Sequence, residues 1–494
     1  MKGDLFLGID IGTGSSKAVV VGADGLIVHS AVVRHETSMP HAGWFEHDAE
    51  AIWWGDAAAL IRDVVGHVGS DRIASLGVSG IGPCALVTDA HDRPLRPAIL
   101  YGIDTRAEPD IADLTREIGE AALLAQCGNV LTSQSVGPKL RWIARNEPRV
   151  WAEARRWFSA SNYVVFRLTG EYAIDHYTAS GSDPLYDLQV LDWWDAGWAA
   201  SSPALARPMI AWPGDIVGQV SPNAAWETGL RAGTPVIAGT IDAFAEGFSV
   251  GCRDVGDTMI MYGSTLFMIQ TVEQPITDPR LWALAGRVRG TYELAAGMAT
   301  SGLITNWFAE AVERDIPTLL AEARSVPAGS DGLVLLPYFA GERTPLFDPD
   351  ARGVWVGLSL THRRAHLYRS ILEGVAFGVR HNLETMAAAG APPRRLVAVG
   401  GGTGGDLWMQ IVSDVTGMRQ EVPTLTIGAS YGDARMAAEA CSVGTNDWNP
   451  VASVVAPGGG GARIYEELYR IYRSTYPQLR QQMSALSQIQ RRAG

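Results

Sequence analysis

Two carboxylates and several turns of small residues stand out in this sequence as groups able to do chemistry. Asp10 ends the apolar run LFLGID and faces the turn Gly12, Thr13, Gly14, Ser15, Ser16. A carboxylate at the end of a buried strand is costly unless it pairs or holds a metal, and clustered amides and hydroxyls form a nest for an anion. Read alone, such a turn is structural more often than functional, and Asp10 beside it shifts the balance toward function. Asp242 follows the apolar stretch TPVIAGTI and precedes AFAEGF. It reads as a helix N-cap or as a base at the carboxyl end of a strand, where open α/β sheets bind ligands. The two readings are compatible, because a helix start favours the ionised carboxylate. A further turn, VGGGTGG, holds a formal GxGxxG at Gly400, Gly402 and Gly405, with Glu421 downstream. That grammar fits a dinucleotide turn, another nucleotide-binding turn or a purely structural one. Asp406, directly after it, reads as a helix cap. No lysine, Lys17 included, sits in a Walker A pattern.

The elements that must position these groups follow from the apolar pattern. Residues 5–33 read as strand, turn, strand, turn, strand, a β-meander. A helix follows, with Asp48 as N-cap and Trp53 and Trp54 as packing residues. IASLGVSG (73–80) is a buried-type strand, and strand and helix segments then alternate to residue 251, which indicates layered α/β architecture. DTMIMYGSTLFMIQTV (257–272) repeats the plan of the first meander, with Gly263, Ser264 and Thr265 at its turn. Residues 1–250 and 255–455 therefore read as two domains on related plans with a cleft between them, and 456–494 as a C-terminal helix. Residues 366–390 form a long helix ended by glycine, and 394–417 read as strand, glycine turn, helix.

The bulk numbers bound the function. A chain of 494 residues, 47% hydrophobic and 19% charged, is long enough for two globular domains. A net charge of −13 gives no electrostatic reason to bind nucleic acid or an anionic membrane. The four cysteines, Cys84, Cys127, Cys252 and Cys441, are widely spaced, which suits a reduced compartment. No signal peptide is read, and no apolar run reaches membrane-spanning length. A soluble, cytoplasmic protein with a small-molecule substrate is expected.

With GIDIGTGSSK (8–17), GERTPLFDPDARG (341–353), GVWVGLSLTHRRAHLYRSILEG (353–374) and GGGTGGDLWMQIVSDVTG (400–417) in order, residues 5–445 resemble the FGGY carbohydrate kinases. The most specific piece runs from Gly353, Trp355, Gly357 and Leu358 to His366, Leu367, Ser370, Ile371, Leu372 and Glu373. KLRWIARNE (139–147) fits a second, looser signature, with Val136 where Pro, Ser or Thr is usual. The resemblance implies two ribonuclease-H-like domains of the actin and hexokinase superfamily with an interdomain catalytic cleft. It implies ATP and Mg²⁺, with phosphates gripped by Gly12 to Ser16 on one side and by Gly263, Ser264 and Thr265 on the other. Asp10 and Asp242 are then the metal-associated carboxylates and Asp242 the catalytic base. Gly401 and Gly402 are similar to the family's adenosine site, with Asp406 where Asn is common. The implied activity is phosphoryl transfer to a small sugar, a pentulose such as xylulose or a related polyol, and a homodimer is an expectation of the same kind. An NAD-dependent oxidoreductase, resting on residues 400–405, and a non-catalytic sugar- or nucleotide-binding protein are the alternatives. The specificity region departs from the family: Ile81, Gly82, Pro83 and Cys84 replace the Gln-Met-His-Gly of xylulokinases, and Tyr101 replaces a Trp. Asp104 and Arg106 read as sugar contacts or as a surface salt bridge.

Overall fold

The computed structural model describes residues 3–493. Its first sheet is built from β1 (Leu5–Ile11), β2 (Ser15–Gly22), β3 (Ile27–Arg34), β4 (Ile73–Gly80), β5 (Ile216–Gln219), β6 (Pro235–Ile237) and β7 (Thr240–Ile241). The order is β5-β6-β4-β1-β2-β3, with β7 paired to β4. The second sheet holds β8 (Asp257–Tyr262), β9 (Leu266–Val272), β10 (Trp282–Ala285), β11 (Tyr292–Met298), β12 (Arg395–Val399), β13 (Gln420–Pro423) and β14 (Val451–Val455). Its order is β10-β11-β9-β8-β12-β13-β14. In each sheet an antiparallel hairpin leads into a parallel partner of its first strand: β1 pairs β2 antiparallel and β4 parallel, and β8 pairs β9 antiparallel and β12 parallel. The repeated meander thus folds into two sheets of one topology.

Alternation within β1 explains how the sheets are covered. Leu5, Leu7, Ile9 and Ile11 pack with α1 (Gly55–Val68) and with the helix Ala160–Thr169. Phe6 points the other way, into a cluster with Tyr431, Ala434 and Ala438 of the helix Ala429–Ala440. That helix lies in the second half of the sequence yet covers the first sheet. The reverse holds for α2 (Asp242–Ser249), whose Phe244, Ala245 and Phe248 pack against Met259, Ile269, Val397 and Val399 of the second sheet. Small residues make the exchange sterically feasible. A Cβ on Gly8 would overlap the Ser430 carbonyl, and one on Gly432 would overlap the carbonyl of Ala245. Each half of the sequence thus lends the other a helix across the cleft.

In the second half follow α3 (Gly302–Ala311), α4 (Arg364–Ala388), α5 (Asp406–Thr416), then α6 (the helix Ala429–Ala440 just described) and α7 (Ala462–Ala493). Asp48 caps the turn leading into α1, accepting from the amides of Glu50 and Ala51, and Trp53 and Trp54 are buried as expected. Among the described residues no helix is long and apolar enough to cross a membrane.

Candidate active site

Both hairpins end at the cleft in tips where some amides bond within the turn and others find no acceptor among the described residues. In the first, Gly12 N–H donates to Ser15 O (3.1 Å), and the tip is braced from outside by Thr37 Oγ1 donating to Thr13 O (2.6 Å). In the second, Gly263 N–H donates to Thr265 O (3.0 Å), while the first amides of α3 hold the tip's carbonyls: Gly302 N–H to Gly263 O (3.0 Å) and Leu303 N–H to Ser264 O (3.1 Å). The amides of Thr13 and Gly14, and of Ser264 and Thr265, bond to no acceptor among the described residues. Outward-facing amides of this kind suit anionic oxygens.

Four acids gather beside the first tip. Asp10 stands at the end of β1 opposite Lys17 of β2, and Asp242 is the first residue of α2. Burial raises both carboxyls above their ordinary range, and the charge of Asp10 adds to the rise of Asp242. Lys17 opposes the shift at Asp10. Glu246, one turn further along α2, is pushed up to about 7 by burial and by the charges of Asp10 and Asp242. Asp433 of α6 is fully buried, and burial raises it well above the carboxylate range. Ser79 of β4 links this last acid to the first: its amide and hydroxyl lie 3.0 and 2.6 Å from Asp433 Oδ2, and its hydroxyl is 3.3 Å from Asp10 Oδ1. Ser79 is the donor to Asp433, through both its amide and its hydroxyl, and the same hydroxyl reaches Asp10. Carboxylate oxygens are hard donors of the kind a divalent metal takes, and Asp10 and Asp242, close enough for the charge of one to raise the other, are the pair among these acids that fits one.

Two cavities flank the second hairpin tip. The larger, about 500 Å³, is walled by Gly263, Ser264, Thr305, Asn306, Ile316, Leu320, Tyr368, Gly401, Gly402 and Trp408. Gly400 and Gly402 are glycines because Tyr262 lies against them. Gly400 has φ 90° with its missing Cβ 2.6 Å from Tyr262 O, and a Cβ on Gly402 would lie 2.7 Å from Tyr262 Cβ. Gly401 faces open space. The glycines of the formal dinucleotide pattern thus serve packing under a flat-sided slot. The smaller cavity, about 190 Å³, is lined by Pro83, Tyr101, Gln134, Tyr177, Asp183, Asp242, Thr265, Phe267, Trp282 and Arg343, among others. It has room for about six waters at roughly 30 Å³ each, the size of a single small sugar. Gly12 to Ser16 line neither cavity, but Thr13 Oγ1 hydrogen-bonds the hydroxyl of Tyr101 in the smaller one (3.0 Å).

Three expectations are corrected. Asp104 and Arg106 are neither sugar contacts nor a surface pair. Both are buried: Arg106 bridges Asp104 (2.8 Å) and Glu46 (2.7 Å) and lies 4.2 Å from the Trp44 ring centre, while Asp104 also accepts from Phe45 N–H. Their hydrogen-bonding capacity is spent bracing the loop that carries Tyr101. Asp406 is the first residue of α5, Gly405 occupies the cap, and the Asp406 side chain is exposed, outside the larger cavity. Ile241 takes the cap position at α2, which leaves Asp242 Oδ1 with one protein donor, Ala243 N–H (2.7 Å). Sequence reasoning missed Ser79, Glu246, Asp433, Asp183, Trp282 and Arg343. The signal for Asp433 was present, an acid inside the small-residue helix GASYGDARMAA.

Two family models match the chain, those for the N-terminal domain (residues 5–248) and the C-terminal domain (258–441) of the FGGY family of carbohydrate kinases. The chain belongs to this family. As an FGGY kinase it is an ATP-dependent phosphotransferase acting on a sugar hydroxyl, and the family uses ATP with a divalent metal. The kinase is 28% identical to the xylulose kinase of Escherichia coli K12, over 88% of this chain and 89% of that one. It is 30% identical to the glycerol kinase of Alkalilimnicola ehrlichii, over 90% and 92%. The crystal structure of xylulose kinase from Rhodospirillum rubrum superposes with a TM-score of 0.90 at 32% identity, covering 97% of this chain and 99% of that one. Nothing in these matches supports an oxidoreductase.

Proposed function

We propose that this FGGY kinase transfers the γ-phosphoryl group of Mg-ATP to a hydroxyl of a pentulose, with xylulose the leading candidate. The observation that carries the reading is the placing of Asp242: it lines a cavity of small-sugar size next to the acid cluster and across the second hairpin tip from the larger cavity. Among the described residues the Asp242 carboxylate accepts one hydrogen bond, from Ala243 N–H, so its free oxygen is available to take the proton of the attacking hydroxyl. Adenosine fits the slot at Gly401 and Gly402, and the free amides of both tips would hold phosphate oxygens and stabilise the charge that develops on transfer. Asp10 and Asp242 would hold Mg²⁺, which would supply charge neutralisation of the phosphates. Ser79, itself bonded to Asp433, donates to Asp10 and would keep it aimed. Relatives named as xylulose kinases support the pentulose.

One group favours a second reading, a sugar acid. The Arg343 guanidinium lines the smaller cavity, makes no hydrogen bond or ion pair among the described residues, and has its pKa lowered, chiefly by burial. A substrate carboxylate would pair with it. ADP release in the presence of D-xylulose, D-ribulose, L-ribulose, erythritol, glycerol or gluconate separates the two readings. A pentulose should stimulate release furthest above the sugar-free rate. Gluconate as the best substrate would replace the pentulose with an acid, and stimulation by none would overturn both.

A further inference from the structure

The carbonyls of Gly12, Thr13 and Gly14 in the first tip are each held by a donor from outside the turn. His35, just past the end of β3, donates from Nε2 to Gly12 O (3.1 Å) and from its backbone N–H to Gly14 O (3.2 Å). Between them, Thr13 O accepts from Thr37 Oγ1 (2.6 Å) and lies 3.2 Å from His47 Nε2. A trans peptide is planar, with its N–H opposite its C=O. Fixing Gly12 O therefore fixes the Thr13 N–H in the other direction, and fixing Thr13 O does the same for the Gly14 N–H. Those are the two amides left open at this tip. The second tip obeys the same rule by other means: the first amides of α3 hold Gly263 O and Ser264 O, and the open amides are those of Ser264 and Thr265.

The two imidazoles do this in different charge states. His35 has Nδ1 2.7 Å from Asp56 Oδ2 of α1 and Nε2 on Gly12 O. A carboxylate and a carbonyl only accept, so both ring nitrogens carry hydrogen and the ring is an imidazolium. Its partner Asp56 also accepts from Ser16 Oγ (2.7 Å). The two side chains are 7% and 9% exposed, a setting in which a charge persists only when paired. His47, by contrast, accepts at Nδ1 from Trp53 Nε1 (3.2 Å), so its one hydrogen is on Nε2, between Thr13 O and Thr37 Oγ1. Burial, with the charge of His35 behind it, pushes His47 down to about 4, and the two rings stand edge-on with centres 5.1 Å apart. One ring is a charged double donor, the other a neutral donor and acceptor.

We propose that His35 and His47 are positioning residues for the phosphates: they aim the Thr13 and Gly14 amides at phosphate oxygens, and His35 sets a positive charge directly behind the tip. The inference rests on the reading of the tips as phosphate holders and names the groups that set the first one. The charge answers a local need. Asp10, Asp242 and Glu246 stand beside this tip, and any of them that is ionised repels an incoming phosphate. The His35–Asp56 pair is a dipole whose positive end bonds the tip, so it offsets part of that repulsion across a single peptide. At the second tip no such acids gather, and the neutral amides of α3 suffice.

The test measures affinity by calorimetry for adenosine and for the Mg²⁺ complex of a non-hydrolysable imido analogue of ATP. The proteins are the wild type, His35→Gln, His47→Gln and His47→Leu. A glutamine amide offers donors on one atom and an acceptor on the other, so it can replace the neutral His47 and not the doubly donating His35. His35→Gln and His47→Leu should each weaken the analogue about tenfold, the scale of one unmade buried hydrogen bond, with adenosine unchanged. His47→Gln should stay near the wild type, a rescue that a packing role would not predict. Thermal melts confirm that each variant is folded, and the double variant His35→Gln/Asp56→Asn, which leaves no unpaired buried carboxylate, carries the test if His35→Gln does not fold. Analogue affinity unchanged in His35→Gln and His47→Leu overturns the inference. An equal loss for adenosine does so too, since the rings then only support the fold. A wild type that binds the analogue no more tightly than adenosine overturns the phosphate reading of the tips first, a result distinct from tight binding that the variants leave intact.

Discussion

The two hairpins share a backbone plan and differ in what they carry at matching positions. One residue before the last of the first strand, β1 places Asp10 opposite Lys17; the corresponding position of β8 is Met261, opposite Phe267. The first half therefore concentrates charge at its tip. Asp10, Asp242 and Glu246 come from it, and Asp433 reaches in on the helix lent by the other half. The second half offers a neutral tip whose carbonyls are tied down by α3, beside the apolar-sided slot of Ile316, Leu320, Tyr368 and Trp408. One scaffold thus serves two tasks. A hairpin tip by itself presents amides to an anion, and the side chain next to it decides whether a metal and a proton acceptor are present as well.

The comparison breaks most sharply at Asp242. Asp242→Asn keeps the shape and removes the proton acceptor, so sugar-stimulated ADP release should fall about a thousandfold, with sugar binding by calorimetry little changed. Equal loss of binding and turnover would mean that Asp242 positions the sugar and is not the base. On the neutral side, Gly302→Val should act on the nucleotide alone. A Cβ there would lie 2.8 Å from the Gly263 carbonyl and displace the second tip. KM for ATP should rise about tenfold, a cost near 1.4 kcal/mol, while KM for the sugar stays constant. A matching rise in both would show that the tips do not divide the work.

Asp433 tests how the lent helix supports the charged tip. Asp433→Ala strands the Ser79 amide and loosens Asp10, at about 1–3 kcal/mol for an unmade buried hydrogen bond, read as a several-fold drop in kcat. Asp433→Asn should recover most of the activity, because its amide oxygen still accepts from the Ser79 N–H as the carboxyl does. A fully active Asp433→Ala would remove Ser79 and Asp433 from the account. The smallest effect concerns stability. Asp183 has its folded pKa raised from 3.8 to about 8 by burial, so its contribution is complete below pH 4 and is lost as pH rises toward 8. Relative to Asp183→Asn, the wild-type melting temperature should therefore decline between pH 5 and 8. Parallel curves for the two proteins would mean that the group is ionised throughout.

Much of this molecule was legible in order along the chain. The alternation LFLGIDI, the small-residue turns and the renewed meander at 257–272 sufficed for two sheets with hairpins, because strand, turn and pleat are decided by neighbours a few residues apart. Asp10 and Asp242 stood out for the same reason, as acids at the ends of apolar runs. Asp104 and Arg106 were misread because the sequence does not show that Glu46, Trp44 and Phe45 converge on them, turning an ordinary Asp-x-Arg into a buried brace. Asp406 was misassigned by one position, the scale on which helix caps are ambiguous.

What only the tertiary structure decided is which distant residues meet. It placed the helix 429–440 on the first sheet, which brings Asp433 to Ser79, 354 positions away in sequence. It also lined one cavity with residues from both halves, Asp183 and Trp282 among them. Burial is a property of the assembled chain. The same carboxyl is an ordinary surface acid in one setting and an un-ionised hydrogen-bond donor in another, and no local pattern of residues says which.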